Sequence, residues 1–302
     1  MPKIAKTIKI SDRHESWLQS KKINFSEWVR ARLDEEIQRT SRRPDSRLRA
    51  VILAAGKDKH LFPLTESIPK ALLDIKGKTI LQWQVEMLRS AGITDIAVVR
   101  GFQKDRIDYP GLQYYDNDDY QTSGSLVSLF SALEFIQKET VVIYGDILFD
   151  GEILKKLAES PDHTTLVIDR GWKQHYQDSR EAHPNPPELV SITETDNALR
   201  VDAVTTEASD SEAVTEFIGL AKLSSHAAES LREACDYYGT DPEAPFHDAL
   251  QIRTASFIDF IQELIRRGEK IVGLDIWRTW IDVDTFEDYR RAWNLFNEIT
   301  RS

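Results

Sequence analysis

Short apolar runs alternate with helix-like patterns along most of the chain. Apolar runs of strand length occupy residues 51–53, 96–99, 112–115, 141–144 and 216–224. Apolar positions at helical spacing occupy residues 80–90, 255–268 and 286–297. Short buried strands separated by helices predict an α/β fold, in which a mostly parallel sheet carries helices on both faces.

A different pattern fills the N-terminal segment. Residues 6–10 alternate between polar and apolar side chains, which predicts a strand, and two helical patterns follow on either side of a turn at 21–23. This strand–helix–helix order resembles the ribbon-helix-helix module, which pairs strands between two chains. About forty residues bury little core alone, so we expect this module to make the protein a homodimer.

Charge separates the same two regions. Residues 1–49 hold 13 Lys/Arg and 7 Asp/Glu, a net charge of +6, whereas the whole chain carries −11. A polar stretch interrupted by Pro44 separates the basic segment from the acidic remainder. The predicted organisation is a ribbon-helix-helix-like module at 1–40, a linker at 41–48 and an α/β domain at 49–302.

Dimerisation is favoured over DNA binding for the N-terminal module. The strand residues that would face the DNA major groove are Ala5, Thr7 and Lys9, a thin set for reading bases. The acidic remainder of the chain would also oppose the approach of DNA.

Composition narrows the class of protein further. The chain has 302 residues, of which 41% are hydrophobic and 29% charged, as expected of a globular protein. Apolar runs are too short for a transmembrane helix, and the N-terminus has no apolar signal core. Cys235 is the single cysteine, which excludes an internal disulfide framework. We expect a cytoplasmic protein without a membrane partner.

Candidate site residues follow the strands. Ligands of such sheets gather at the carboxyl ends of the strands, where Gly56 and Asp146 stand after the runs 51–53 and 141–144. Small residues there let the backbone approach a ligand closely. Asp146 is the first candidate magnesium ligand, since Mg²⁺ prefers carboxylate oxygens. Near the C-terminus, Asp282 and Asp284 share one strand face.

The sequence VILAAGKDKHLFPLTESIPKALL at 51–73 resembles the nucleotidyltransferase signature LAAG-x-G-x-R-L-x-P-L-T followed by P-K-x-L-L. The segments EFIG at 216–219 and WIDVDTFEDY at 280–289 resemble cytidylyltransferases of phosphonate and phosphocholine metabolism, and more closely the nucleotidyltransferase domain associated with phosphoenolpyruvate mutase. The resemblance covers about residues 49–293. It implies a three-layer α/β/α Rossmann-like fold and transfer of CMP from CTP to a phosphonate or phosphate acceptor, with release of pyrophosphate.

The resemblance also implies roles for individual residues. Lys70 would face the α-phosphate, and Mg²⁺ would be held by Asp146 with Asp284 and Asp282. Base and ribose would contact Leu53, Ala54, Ala55, Gly56, Ser123, Gly124 and Ser125. An ammonium group on the acceptor would be surrounded by aromatic residues, for which the candidates are Tyr120, Trp277 and Trp280, followed by Trp172 and Tyr176.

Two departures from the signature leave open whether this chain catalyses nucleotidyl transfer. Asp58 stands where the family has a glycine, and His60 stands where it has an arginine. Lys57 and Lys59 in the same loop could replace the arginine in contacting the triphosphate, with His60 assisting when protonated.

Three functions therefore remain in view. The first is an active cytidylyltransferase for a phosphocholine-like or 2-aminoethylphosphonate-like acceptor. A sugar-1-phosphate nucleotidyltransferase is the second, disfavoured because its usual Glu-Lys-Pro segment is missing. The third is a degenerate, non-catalytic dimeric binding or regulatory protein.

One further departure concerns the acceptor phosphate. Related domains place a lysine before the EFIG segment to hold that phosphate, and this chain has Ala203, Val204, Thr205 and Thr206 at that place.

Overall fold

The computed structural model describes residues 11–21, 24–26, 28–29, 48–161, 163–177, 183–195, 198–206 and 214–299. The chain divides into two compact units, residues 1–43 and 44–302. In the first unit, helix α1 spans Asp12–Ser20. The predicted strand at 6–10 and the linker at 41–47 lie outside the described residues, so the ribbon-helix-helix-like module and its role in dimerisation stay predictions.

The larger unit is built on a mixed sheet. Its strands are β1 Arg49–Ala54, β2 Asp74–Ile75, β3 Lys78–Thr79, β4 Asp95–Arg100, β5 Gln113–Asp116, β6 Thr140–Tyr144, β7 Ile147–Phe149, β8 Thr164–Asp169, β9 Leu189–Glu194, β10 Leu199–Thr205, β11 Val214–Leu223, β12 Ile271–Ile276 and β13 Trp280–Asp282. Within the described residues, nine of these strands pair in the order β5-β4-β1-β6-β11-β8-β12-β10-β9. In two small sheets, β13 pairs with β7 and β2 pairs with β3.

Strand direction determines where the loops meet. β1 runs parallel to β4 and β6, with Val51 opposite Ala97 and Val142. β4 is also parallel to β5, and β8 to β12. β11 runs antiparallel to both β6 and β8 and joins the two parallel groups. The carboxyl ends of β1, β4 and β6 therefore lie at one edge of the sheet, as the sequence predicts.

Helices cover both faces of this sheet. They are α2 Ile80–Ser90, α3 Ser125–Ser131, α4 Gly151–Glu159, α5 Trp172–Gln177, α6 Ser225–Thr240, α7 Phe257–Arg266 and α8 Phe286–Ile299. Reciprocal capping boxes begin α2, at Thr79 and Gln82, and α7, at Ser256 and Asp259. These caps satisfy backbone N–H groups that a helix leaves unpaired at its start.

Two large buried clusters lie on opposite faces of the sheet. One joins α3, α6 and α7, for example through Leu129, Leu231 and Phe260, and the other joins α2 and α4 through residues such as Val85 and Leu154. The predicted α/β fold with helices on both faces is confirmed. None of the described helices has the length and apolar character needed to cross a membrane.

Candidate active site

A loop between β1 and Lys70 forms one wall of a cavity of about 280 Å³, here called the loop cleft. Its lining combines the end of β1 with the loop, Lys70 and the turn after β6: Leu53, Ala54, Gly56, Lys57, Asp58, Lys59, His60, Lys70, Ala71, Gly145, Asp146, Asn185 and Asp284. Gly145 approaches β1 closely, since a Cβ there would lie 2.7 Å from Leu53 O. Its N–H donates to that same oxygen at 2.9 Å.

Asp58 has an internal role in the loop. Its Oδ2 accepts hydrogen bonds from the backbone N–H of Leu61 at 2.8 Å and from Thr65 Oγ1 at 3.0 Å, and Thr65 is fully buried. The carboxylate thus closes the turn that follows it, as Asp side chains commonly do. The aspartate in place of the family glycine therefore fixes the loop by side-chain hydrogen bonds.

The basic residues of the loop are exposed and line the cleft. Lys57 Nζ lies 4.9 Å from the ring centroid of Phe102 and 5.9 Å from that of Phe62, within the range of cation–π attraction. These rings hold the Lys57 side chain at the cleft. Lys59 and His60 stand beside it.

Three carboxylates converge at the inner end of the cleft. Asp146 follows β6, Asp282 ends β13 and Asp284 lies two residues further on, and one ligand atom from each lies within 4.8 Å of the others. The backbone joins the two segments, because Asp282 pairs with Ile147 in the β13–β7 ladder and Val283 N donates to Asp146 O at 3.1 Å. Strand pairing therefore brings these distant acidic residues together.

Lys70 supplies the positive charge at this cluster. Its Nζ donates to Asp146 Oδ2 at 3.1 Å and to Asp284 Oδ1, and it lies 3.9 Å from Asp282 Oδ1. Burial opposes the lysine charge, but attraction by the three carboxylates outweighs it and raises the pKa of Lys70 well above its usual value. One lysine faces three carboxyl groups, so the cluster can accept further positive charge.

The carboxylates themselves fit a hard divalent cation. Burial and repulsion by Asp146 and Asp284 raise the pKa of Asp282 well above its usual value, whereas Lys70 lowers that of Asp284 against the effect of burial. Asp282 Oδ1 is buried and makes no hydrogen bond within the described residues. An all-oxygen donor set with an unsatisfied buried oxygen suits Mg²⁺ or a similar ion.

A second cavity of about 220 Å³, here called the acidic pocket, lies on the other side of the same carboxylates. It shares Asp146, Asn185 and Asp284 with the loop cleft. Its other lining residues come from β6 and the turn after it, the segment before β9, α5, β11 and β13: Tyr144, Ile147, Tyr176, His183, Pro186, Pro187, Glu188, Glu216, Phe217, Ile218, Gly219, Trp280 and Asp282.

Two hydrogen-bonded tyrosine–glutamate pairs line this pocket. Tyr144 Oη donates to Glu188 Oε2 at 3.0 Å, and Tyr176 Oη donates to Glu216 Oε1 at 2.5 Å. Burial raises the pKa of Glu188 to about 7 and that of Glu216 to about 8, with Asp146 adding to the first shift and Asp169 to the second. Aromatic rings and carboxyl groups with such pKa values form a pocket that favours a positively charged group.

Comparison with known proteins agrees with this geometry. Residues 50–192 match the family model of the MobA-like NTP transferase domain. CTP:phosphoglutamine cytidylyltransferase of Campylobacter jejuni is 25% identical over 252 residues, which cover 80% of this chain and 97% of that relative. CMP-5'-(3-aminopropyl)phosphonate synthase of Streptomyces rubellomurinus is 29% identical over 141 residues, 44% of this chain and 22% of the relative.

The solved structure of CTP:phosphocholine cytidylyltransferase from Streptococcus pneumoniae superposes with a TM-score of 0.63 at 22% identity, covering 83% of this chain and 99% of that one. Nucleotidyltransferases that act on sugar phosphates also match. Residues 50–192 of the chain therefore resemble a MobA-like NTP transferase domain. The predictions of a Rossmann-like fold and of an enzyme of this class are confirmed.

The structure gives the predicted nucleotide-binding residues of this nucleotidyltransferase two different environments. Leu53, Ala54 and Gly56 line the loop cleft, and Ala55 is buried directly behind them. Gly124 and Ser125 instead contact the start of α7 and the segment before it, and Ser123 Oγ accepts from Asn117 Nδ2 at 2.9 Å. Gly124 N donates to Arg253 O at 2.8 Å, and Ser125 Oγ accepts from Phe257 N at 2.8 Å. Their contact with base and ribose stays a prediction.

The three aromatic residues first chosen for the acceptor of the nucleotidyltransferase do not share one pocket, whereas Tyr176, a further candidate, lines the acidic pocket with Trp280. Trp280 is buried in the wall of the acidic pocket, and its Nε1 donates to Asp169 Oδ2 at 2.9 Å. Trp277 is 58% exposed. Tyr120 packs near Phe102, with ring centroids 6.3 Å apart. Trp280 alone of the three therefore lines the pocket beside the carboxylates.

Several pocket residues of the nucleotidyltransferase were not predicted as site residues, above all Glu188 and Glu216. Glu216 sits in a strand whose ten residues are all buried, which is an unusual place for a carboxylate. That acidic residue at the start of the EFIG segment is the signal from which sequence reasoning could have found it. Glu188 follows two prolines outside any motif, and its role appears only through its contact with Tyr144.

Proposed function

We propose that this nucleotidyltransferase transfers CMP from CTP to a small phosphate or phosphonate whose other end carries a positively charged amine, with release of pyrophosphate. The acidic pocket carries this proposal. Two carboxyl groups and the rings of Tyr144, Tyr176 and Trp280 lie beside the carboxylate cluster that the pocket shares with the loop cleft. An ammonium head group matches that chemistry, whereas a neutral sugar would leave its charge unused.

The reaction needs two anions held close together. The α-phosphate of CTP would lie in the loop cleft and the acceptor phosphate or phosphonate at the shared carboxylates. An oxygen of the acceptor attacks the α-phosphorus and forms the new P–O bond, while the bond to the β-phosphate oxygen breaks and the electron pair leaves with pyrophosphate. The acceptor oxygen is already ionised at neutral pH, so positioning and charge neutralisation carry the catalysis.

The chain supplies the groups for both tasks. Lys57 and Lys59 would contact the β- and γ-phosphates, with His60 beside them, and Lys70 would contact the α-phosphate. Asp146, Asp282 and Asp284 would hold Mg²⁺, which neutralises phosphate charge when it is bound. Glu188 and Glu216 would hold the ammonium group of the acceptor and so orient its phosphate toward the cluster.

The experiment that tests this function is a pyrophosphate-release screen. Each of the four nucleoside triphosphates is combined with phosphocholine, phosphoethanolamine, 2-aminoethylphosphonate, phosphorylated glutamine or glucose 1-phosphate, with and without EDTA. We expect CTP and an acceptor with an amine to give the highest kcat/KM, and EDTA to abolish turnover. Preference for glucose 1-phosphate would support the sugar-1-phosphate alternative. If no combination of nucleotide and acceptor in the panel releases pyrophosphate, the result would support a non-catalytic binding role.

We further propose that residues 1–40 join two chains into a homodimer, on the evidence of the alternating pattern at 6–10 and of the small core that about forty residues can bury alone. Light scattering of the full chain and of a truncated chain beginning at Ser46 tests this. The full chain should be dimeric and the truncated chain monomeric, with unchanged kcat. A truncated chain that stays dimeric would contradict the proposal and would direct attention to DNA as the ligand of the segment.

A further inference from the structure

Gln84 is a fully buried polar residue in the middle of α2, on the side of the helix that faces the turn after β6. Its Nε2 donates to Tyr144 O and to Ile147 O, each at 2.8 Å. Those two carbonyl groups stand immediately before and after the pair Gly145–Asp146. One side chain thus grips both ends of the turn that carries a candidate metal ligand.

The turn has two backbone contacts besides this one. Gly145 N donates to Leu53 O at 2.9 Å, and Asp146 O accepts from Val283 N at 3.1 Å. These contacts fix the middle of the turn against β1 and the Asp282–Asp284 segment. The contacts of Gln84 fix its two flanks against α2, so the turn is held from three directions.

The chemistry of the contact requires an amide. A primary amide carries two N–H donors on one nitrogen, which is what two neighbouring carbonyl groups need. An ionised glutamate would have no donor, a protonated glutamate would have one, and methionine would have none. Gln84 Oε1 makes no hydrogen bond within the described residues, so the side chain is placed there for its donors.

We propose that Gln84 is a positioning residue for metal binding, which acts by fixing Asp146 opposite Asp282 and Asp284. This inference rests on the proposed function, in which those three residues hold the metal. Without the two donors, Tyr144 O and Ile147 O turn toward other partners and the carboxylate of Asp146 leaves its place in the cluster. Residues that orient a metal ligand in this way typically change metal affinity or activity by about 10- to 100-fold when they are replaced.

The test measures Mn²⁺ binding directly, from the EPR signal of the free ion, on the full chain without nucleotide. The variants are Gln84→Met and Gln84→Glu. The control is Gln82→Met, which makes the same change on the same helix. Gln82 Oε1 accepts from Thr79 N at 2.8 Å in the capping box of α2, away from the metal ligands. The control therefore destabilises α2 without touching the turn.

We expect both Gln84 variants to raise the Kd for Mn²⁺ by about tenfold or more, and Gln82→Met to leave it within about twofold although its Tm also falls. In turnover assays the concentration of Mg²⁺ at half-maximal rate should rise in the same way, and kcat at saturating Mg²⁺ should recover. A change in Kd of equal size in Gln82→Met and Gln84→Met would overturn the inference, because it would then reflect general loss of stability.

The remaining outcomes are also decisive. If Gln84→Met does not fold, the Kd for Mn²⁺ is measured on Gln84→Glu instead. If neither variant folds, Gln84 is required for folding of the whole domain, and this result would contradict the inference. Asp146→Asn marks the site itself. A wild type that binds Mn²⁺ no better than Asp146→Asn would overturn the proposed metal site and this inference together, whereas Gln84 variants that bind Mn²⁺ as the wild type does would overturn the inference alone.

Discussion

The loop cleft and the acidic pocket share Asp146 and Asp284 but are built in different ways. The wall of the cleft is mainly one continuous loop, fixed by contacts between near neighbours such as Asp58 with Leu61 and Thr65. The pocket draws its wall from strands and segments far apart in the chain, from Tyr144 to Trp280. The cavity proposed for the nucleotide is therefore encoded by a short motif, whereas the cavity proposed for the acceptor depends on packing between distant segments.

The largest effect is expected where the two cavities meet. Asp146→Ala should lower kcat by at least about two orders of magnitude, because it removes a charge that both sides of the reaction use. The measurement is steady-state pyrophosphate release at saturating Mg²⁺. The control is Asp150→Ala, four residues further on, which removes the hydrogen bond to Glu152 N that caps α4. Comparable turnover in the two variants would mean that Asp146 has no special role.

A smaller and one-sided effect is expected inside the pocket. Glu216→Gln should raise KM for an amine-bearing acceptor by about tenfold or more and leave KM for CTP unchanged, since an ion pair with a buried carboxylate is lost. The exposed carboxylate Glu194, changed to Gln, is the matched control. Equal rises in both KM values would show that the two cavities do not divide the substrates as proposed.

Because of the same pocket, KM for the acceptor should depend on pH, whereas KM for CTP should not. Glu188 and Glu216 have pKa values of about 7 and about 8 in the absence of acceptor, so they gain negative charge as the pH rises through that range. KM for the acceptor should then fall between about pH 6.5 and 8.5. Without acceptor the folded chain should lose stability as the pH rises from about 4.5, where these glutamates ionise in the unfolded chain, to about 8, and its stability should then level off, because the raised pKa values favour the protonated folded state.

Measurement of KM from pH 6 to 9, with a thermal melt at each pH, checks both expectations. In Glu216→Gln the part of the pH dependence near pH 8 should vanish, and the part near pH 7 should remain. A KM for the acceptor that stays constant from pH 6 to 9 would contradict the assignment of these two carboxyl groups to the ammonium group.

The smallest effects are expected in the loop. Asp58→Gly frees Leu61 N and the Thr65 hydroxyl and should cost about 1 kcal/mol of stability, seen as a fall in Tm of a few degrees. His60→Arg should raise kcat/KM for CTP by a few-fold, because arginine offers phosphate a fixed bidentate contact. A rise in Tm for Asp58→Gly, or no change in kcat/KM for His60→Arg, would show that the loop is not organised as described.

What the sequence could predict follows the same division. The strands β1, β4, β5, β6 and β11, the turn at Gly145–Asp146 and the cluster of Asp146 with Asp282 and Asp284 were predictable, because local apolar runs and short motifs mark them. The internal use of Asp58 was not, since its partners lie three and seven residues away in an irregular loop. Gly124 was expected to face the nucleotide, yet a Cβ on it would lie 2.0 Å from Ala255 O, a contact that no local pattern reveals.

The acceptor side was the hardest part to predict. The aromatic candidates were chosen for their chemistry, and burial separates them, with Trp280 inside the protein and Trp277 exposed. Glu216 and Tyr176 lie 40 residues apart and meet because α5 packs against the beginning of β11. The direction of β11 was also not predicted, since this strand runs antiparallel to β6 and β8 within a sheet predicted to be mostly parallel.

The pairing of β7 with β13 has a consequence for how this protein is made. Lys70 and Asp284 are 214 residues apart, so the ribosome releases the first half of the site long before the last carboxylates emerge. Until then β7, whose three residues are all apolar and buried in the finished fold, presents an unpaired edge. A nascent or truncated chain that lacks residues 280–284 therefore has only Asp146 of the three clustered carboxylates and is exposed to aggregation through that edge.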